Sequence, residues 1–236
     1  MSNIRLFFSK SLSLNLVDKL DKPQSHYLNK VMRLKVNKNF CLFNSGGEWE
    51  AKILNISRNI IEFNITKQLR KKESIKEIWL AFSPIKSNYF NFMIQKATEL
   101  GVTKFLPILF ERSIVRKINK DRLEKIIIEA SEQSNRINIP EILNLKNLKE
   151  FLENFPNDGS LIFCDINSNK EKIDALLSKK NKGPLCILIG PEGDFSEVER
   201  QSIIDIKQSI SLSLSYNILR SETAAIAAIS IINFYL

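Results

Sequence analysis

From Glu77 to Leu236 short apolar runs alternate with amphipathic stretches. The runs IWLAFSP, KFLPILF, SLIFCDI, PLCILIG and ISLSLS read as strands. Helices are expected at YFNFMIQKATEL, DRLEKIIIEASEQS, LKEFLENF, EKIDALLSKK, SEVERQSIIDI and ETAAIAAISIINFYL. Parallel strands need a crossover connection, usually a helix, and helices so placed cover the faces of the sheet. This pattern therefore predicts an α/β domain with a parallel sheet. In open sheets of this kind ligands bind beyond the carboxyl ends of the strands, where loops lead into helices.

The preceding residues have another texture. IRLFF, NFCLFN, EWEAKILNIS and IIEFNIT are short and β-like, and Gly46-Gly47 stands where a hairpin would turn. Only QSHYLNKVM, after Pro23, looks helical, so a small β-barrel or sandwich is expected. The charged stretch RKKES, Arg70 to Ser74, reads as a solvated linker. The resulting division is residues 1–70 and 74–236.

With 236 residues and 44% hydrophobic content the chain can bury a substantial core, so wholesale disorder is excluded. No segment approaches the roughly 18 uninterrupted apolar residues of a membrane span. The start MSNIRLFFSKSLSLN lacks the apolar core of a signal peptide, and a cytoplasmic protein is expected. Cys41, Cys164 and Cys186 are odd in number, far apart and set in apolar runs, which reads as reduced core thiols with neither disulfide nor metal. A formal charge of +9 and a pI near 9.4 suit a polyanionic partner, although a lysine-rich composition alone would raise the charge in the same way.

Elimination narrows the chemistry. Neither Gly-x-Gly-x-x-Gly nor a P-loop follows any strand, which argues against dinucleotide enzymes, P-loop nucleotidases and Rossmann-type methyltransferases. The only histidine, His26, lies in the β-rich part, so a Ser-His-Asp hydrolase is disfavoured. Two stretches exceed what folding requires. In GPEGDFSEVE, Gly190 and Gly193 permit close approach or unusual dihedrals, Pro191 stiffens the turn, and Ser196 with Glu199 forms a capping box. In NILRSETAAIAA, Arg220, Ser221, Glu222 and Thr223 stand at a strand-to-helix junction beside a small-residue helix.

These stretches carry a family resemblance. Together with IRLFF, HYLNKVMRLKV, QKATELGVTKFLPILFERS, EASEQSNRINIPEI and LSLSYNILRSETAA, in this order, they resemble the ribosomal RNA small subunit methyltransferase E family of the SPOUT, or α/β-knot, superfamily. The resemblance implies a PUA-like RNA-binding domain followed by a trefoil-knotted methyltransferase domain. It also implies transfer of a methyl group from S-adenosyl-L-methionine to N3 of a uridine in 16S rRNA. The cofactor would be held by main-chain groups of the loop after LIFCD, of Ile189, Gly190, Pro191, Glu192 and Gly193, and of Leu214, Tyr216, Ile218, Leu219 and Arg220. The family resembled commonly has Gly-Gly where this chain has Gly193-Asp194, Gly where it has Ser215 and Arg where it has Asn217. Aspartate tolerates positive φ better than most residues, which would preserve the turn.

The implied reaction is an in-line displacement on a sulfonium methyl with a neutral thioether leaving, for which orientation and electrostatics suffice without a metal. Uracil N3 carries a proton on its Watson–Crick edge, so the base must be unpaired and its proton lost. Arg220 is the first candidate to stabilise the uridinate, with Arg136 and Arg112 as others, and Glu222 a proton acceptor or an orienter of Arg220. The bland readings are that Glu222 favours a helix start and that Arg136 is an exposed helix-end residue. Arg5, Arg33 and Lys35 are candidate phosphate contacts. Expected partners are 16S rRNA in the small subunit and a second copy of the chain, with no membrane and no DNA. Two rivals remain: a SPOUT enzyme with a different RNA target, and a non-catalytic RNA-binding or ribosome-assembly protein.

Overall fold

The computed structural model describes residues 4–72, 74–168 and 183–235, and the helix expected at EKIDALLSKK lies outside them. The chain forms two compact units, Met1–Ile75 with Ser131–Ile139, and Lys76–Ala130 with Pro140–Leu236.

In the first unit β1 (Arg5–Phe7), β2 (Val17–Lys19), β3 (Asn39–Asn44), β4 (Gly47–Ser57) and β5 (Ile60–Lys71) form a sheet ordered β1-β3-β4-β5-β2. The β1–β3 pair is parallel and the other pairs are antiparallel. Alternation buries Ala51 and Ile53 of β4 against Ile61, Phe63 and Ile65 of β5, the period-2 pattern of a half-buried sheet. Asn44 pairs with Gly47, so the β3–β4 hairpin turns on Ser45-Gly46, and Gly47 opens β4 at φ +137°. A short helix α1 (Lys22–His26), capped by Asp21 with Pro23 in its first turn, runs into a π-turn at Tyr27–Val31.

Two expectations fail here. The segment beginning at Arg70 is no solvated linker at its start, because β5 continues to Lys71 and Arg70 pairs with Glu48 at 3.2 Å and donates to the Asn135 carbonyl at 3.0 Å. Arg5 does not face solvent as a phosphate contact would. Its Nε meets Glu48 at 2.7 Å, and its other nitrogens donate to the carbonyls of Ser131, Glu132 and Arg136 at 3.3, 3.0 and 2.8 Å. The guanidinium also lies 4.4 Å from the Phe43 ring centre. Arg5 thus gathers carbonyls at and just past the end of a helix, and these bonds tie Ser131–Ile139 to the first unit. A division of the chain at one point in sequence cannot represent this.

The second unit is an all-parallel sheet of β6 (Ile78–Phe82), β7 (Lys104–Leu109), β8 (Glu141–Ile142), β9 (Lys146–Asn147), β10 (Ser160–Cys164), β11 (Leu185–Ile189) and β12 (Ser209–Leu212). The order is β12-β10-β11-β6-β7-β8, with β9 also on β7. Its helices are α2 (Ser87–Glu99), α3 (Lys120–Gln133, whose last turn joins the first unit), α4 (Leu148–Glu153), α5 (Glu197–Ile204) and α6 (Ser221–Tyr235). β11 is central and buried at every residue, as expected for a strand covered on both faces. β12 stops at Leu212 rather than continuing through Ser215, and β8 and β9 are too short for periodicity to reveal. From edge strand β12 the chain returns to place α6 against α2 and β11. Among the described residues no helix is long and apolar enough to cross a membrane.

Candidate active site

Cys164, Ile189 and Leu212, the last residues of β10, β11 and β12, lie in register. The three loops that follow line a single open cleft. Asp165 and Ile166 come from the first loop, Gly190, Pro191, Asp194 and Phe195 from the second, and Ser213 to Ser215 with Asn217 and Leu219 from the third. Ser221 and Ala224 of α6 close it.

The second loop owes its shape to local chemistry. Asp194 donates its N–H to the Pro191 carbonyl at 3.1 Å, closing a turn, and sits in the left-handed region at φ +61°. A glycine at this position would serve the dihedral, and aspartate adopts it at modest cost. Gly190 and Gly193 are small for a different reason. A Cβ on Gly190 would lie 2.5 Å from the Phe195 ring, and one on Gly193 3.2 Å from Cβ of Arg112. Phe195 is itself fixed edge-on to Phe110 and Phe163, with ring centres 5.2 and 4.9 Å away. Ser196 and Glu199 form the expected capping box at the start of α5.

The third loop turns on Ser215, whose hydroxyl accepts from the Asn217 N–H at 3.0 Å. α6 begins after Arg220, and the Ser221 hydroxyl reaches back to the Gly190 carbonyl at 3.1 Å. Glu222 lies in the first turn of α6, where the helix dipole favours a carboxylate.

Of the anticipated cofactor residues, Ile189, Gly190, Pro191, Leu214 and Leu219 line the cleft. Glu192 and Gly193 belong to the same loop without lining it, and Tyr216 and Ile218 are 93% and 83% exposed. Arg220 lies outside the lining, its guanidinium carbon 5.5 Å from the Tyr89 ring centre. Arg112 donates to the Gly193 carbonyl at 3.3 Å, behind the second loop. Arg136 belongs to the first unit, where burial lowers its guanidinium to about 10. Arg33 and Lys35 are exposed, and Arg33 holds φ +55° just past the π-turn.

Sequence reasoning passed over Arg200. Lying four residues past the Ser196 cap, it reads as an ordinary surface charge, yet its side chain is only 11% exposed and pairs with Asp165, Asp194 and Glu197. These contacts, Asp165 foremost, hold its guanidinium above the usual arginine value. Cys164 also went unremarked as part of the wall, and burial pushes its thiol up to about 12, so it stays protonated.

The lining suits a methyl donor of the sulfonium type. Apolar surface from Ile189, Leu212, Leu214, Leu219 and Ala224 faces main-chain groups of the loops. Among the described lining residues there are two carboxylates and no lysine, arginine or histidine. A site for a polyphosphate would line itself with cationic side chains, which the described lining lacks.

Fold and cleft define an RNA methyltransferase of the SPOUT, or α/β-knot, type. The family described as an RNA methyltransferase domain matches residues 71–233, and an RNA methyltransferase PUA domain matches residues 20–66. The chain is 33% identical to the ribosomal RNA small subunit methyltransferase E of Rickettsia conorii, over 96% of this chain and 93% of that protein. It is 34% identical to the one of Buchnera aphidicola subsp. Schizaphis graminum, covering 96% and 94%. Among solved structures, the ribosomal RNA small subunit methyltransferase E of Neisseria gonorrhoeae bound to S-adenosyl methionine superimposes with a TM-score of 0.89 at 29% identity, covering 98% and 97% of the two chains. A putative methyltransferase of Legionella pneumophila in complex with the same cofactor gives 0.86 at 27% identity, covering 99% and 98%. The chain belongs to the ribosomal RNA small subunit methyltransferase E family.

Proposed function

We propose that the protein methylates N3 of one uridine of 16S rRNA in the small ribosomal subunit, with S-adenosyl-L-methionine as donor. The observation that carries this reading is the cleft of three loops after parallel strands, with two carboxylates and no cationic side chain among its described lining residues. S-adenosylmethionine supplies an activated methyl group on a sulfonium sulfur. Main-chain groups of Ile189 to Gly193 and of Leu214 to Arg220 bind and orient it between apolar walls, which also exclude water.

The target base has to leave its stack to present N3. Arg220, at the edge of the third loop, is assigned the stabilisation of the uridinate, and Glu222 in the first turn of α6 the acceptance of the N3 proton or the orientation of Arg220. Arg112 supports the second loop through the Gly193 carbonyl. Arg136 is a further candidate cation for the RNA reaction. Arg33 and Lys35, exposed in the PUA-like unit, are assigned to RNA phosphates. The working division is a PUA-like domain at 1–70 and a methyltransferase domain at 74–236, with Ser131–Ile139 packed on the former. The active form is a cytoplasmic homodimer, for which exposed Tyr216, Ile218 and Phe234 offer apolar surface.

The decisive experiment incubates the protein with labelled S-adenosylmethionine and small subunits from a strain lacking the modification, then maps the methylated nucleotide. Label at uracil N3 of a single 16S position is the expected result. Label elsewhere would reassign the target, and cofactor binding without transfer would favour a non-catalytic RNA-binding role. A monomeric mass under conditions of full activity would exclude the homodimer.

A further inference from the structure

Two walls of the cleft are joined by one side chain outside it. Arg200, on the first turn of α5, sends one guanidinium nitrogen to Asp165 after β10 and another to Asp194 after β11, the latter at 3.0 Å. Glu197 lies 3.6 Å from Nε, and the Phe195 ring centre is 5.9 Å away. Both aspartates line the cleft. Asp165 is also a hub for the third loop, because its N–H donates to the carbonyl of Leu212 at 3.2 Å, where β12 ends. Its carboxylate accepts from the Asn167 N–H at 3.1 Å, and its carbonyl takes the Ser168 hydroxyl at 2.9 Å.

We propose that Arg200 is a positioning residue for the methyl donor, clamping the loops after β10 and β11 at the spacing the cofactor requires, with Asp165 and Asp194 as the two halves of the clamp. The inference rests on the functional reading above. Without Arg200, two carboxylates would border the cleft with no cation between them. Repulsion would then drive the loops apart, and Asp165, 4% exposed at its side chain, would lose its only ion-pair partner among the described residues. A lysine cannot replace the arginine, since its single nitrogen cannot address two carboxylates in a planar fork. The clamp acts on binding geometry and touches no reacting atom, so its loss is expected in affinity rather than in turnover.

The test compares the wild type with Arg200→Met, Asp194→Asn and the double variant. Calorimetry gives the Kd for S-adenosylmethionine and for its thioether product, and hydrogen exchange reports the loop amides. Expected for Arg200→Met is a Kd raised roughly tenfold or more, a KM for the donor raised in parallel, and kcat at saturation within about threefold of wild type. Amide exchange should quicken at Asn167, Ser168, Asp194 and Phe195 and stay unchanged in β7. Adding Asp194→Asn should recover part of the affinity, because it removes the repulsion, an outcome that general structural damage does not produce. Wild-type Kd and wild-type exchange in Arg200→Met overturn the proposal. If that variant fails to fold, Asp194→Asn decides: a severalfold weaker Kd with faster loop exchange supports the clamp, and no change overturns it. If the wild-type protein itself binds no donor, the functional reading falls, and the clamp stands or falls on loop exchange alone.

Discussion

The hydroxyl of Ser221 donates to the main-chain carbonyl of Gly190 at 3.1 Å and so fastens the start of α6 to the loop after β11. Ser221 is 8% exposed, so the bond is largely shielded from water. Replacing it by alanine leaves the carbonyl without this partner, at a cost of about 1 kcal/mol. The Ser221→Ala protein is expected to unfold at lower urea and to bind S-adenosylmethionine severalfold more weakly, both measurable by denaturation and calorimetry.

Gly190 faces a second constraint. Its missing Cβ would meet Phe195 at 2.5 Å, and Phe195 cannot retreat because Phe110 and Phe163 hold its edges. Gly190→Ala should therefore cost roughly 1–3 kcal/mol by overpacking. Gly193→Ala, whose Cβ would be 3.2 Å from Cβ of Arg112 and 3.3 Å from its carbonyl oxygen, should cost less because the overlap is smaller. Equal thermal shifts for the two variants would count against this ranking.

Arg220 is assigned to the transition state rather than to cofactor binding. An Arg220→Ala variant is expected to lose about 10²–10³-fold in kcat while its donor Kd stays within about threefold. Single-turnover transfer to undermethylated small subunits measures this directly, and a wild-type rate removes Arg220 from the mechanism.

Two arginines of the first unit should behave oppositely. Arg5→Met strips Glu48, 4% exposed, of one of its two arginine partners and removes the bonds to the carbonyls of Ser131, Glu132 and Arg136, so a loss of about 3 kcal/mol is expected. Its RNA salt dependence should be unchanged. Arg33→Gly keeps the backbone at φ +55° without strain, so stability should hold or rise by up to about 1 kcal/mol. RNA affinity should fall and the salt slope flatten by about one contact. Urea denaturation and binding at several salt concentrations separate the two cases.

Alkaline pH tests the buried thiols. Burial raises Cys164 from 9.0 to about 12 and raises Cys186 as well. Above pH 9 the unfolded chain releases these protons first, so the folded state binds more protons and loses stability as pH rises. The stabilisation is complete below pH 9 and disappears through the folded-state values. Replacing both residues by alanine should flatten the decline between pH 9 and 10.5 by roughly 1 kcal/mol per pH unit for each thiol. Denaturation midpoints across that range provide the check.

Much of the second unit was legible because its signals are local. The apolar run of β11, the Ser196–Glu199 capping box and the α6 start after Arg220 each arise from neighbouring residues, and each is found where periodicity or capping chemistry put it. Periodicity overran at β12, where Ser213 and Ser215 continue an alternating pattern after the pairing has stopped. It was silent for β8 and β9, which exist only because β7 offers them an edge.

The functional residues divide in the same way. GPEGD announced a loop that must approach something closely, and the aspartate at its end does occupy a left-handed dihedral. Nothing in SEVER distinguishes Arg200 from a solvated charge, since Asp165 arrives from another strand and Asp194 reaches it only through the turn after β11. Likewise Arg5 is expected to be a phosphate contact because it lies in a block that carries the family resemblance, whereas carbonyls 126 to 131 residues away occupy its donors. The sequence by itself determined the longer strands and the helices that flank them, the tight turn after β11 and the family, because these depend on period, capping and backbone preference within a few residues. Tertiary structure alone decided which charges are spent inside the protein and which remain for a ligand, because a guanidinium's role depends on which acceptors the fold brings within about 3 Å of it.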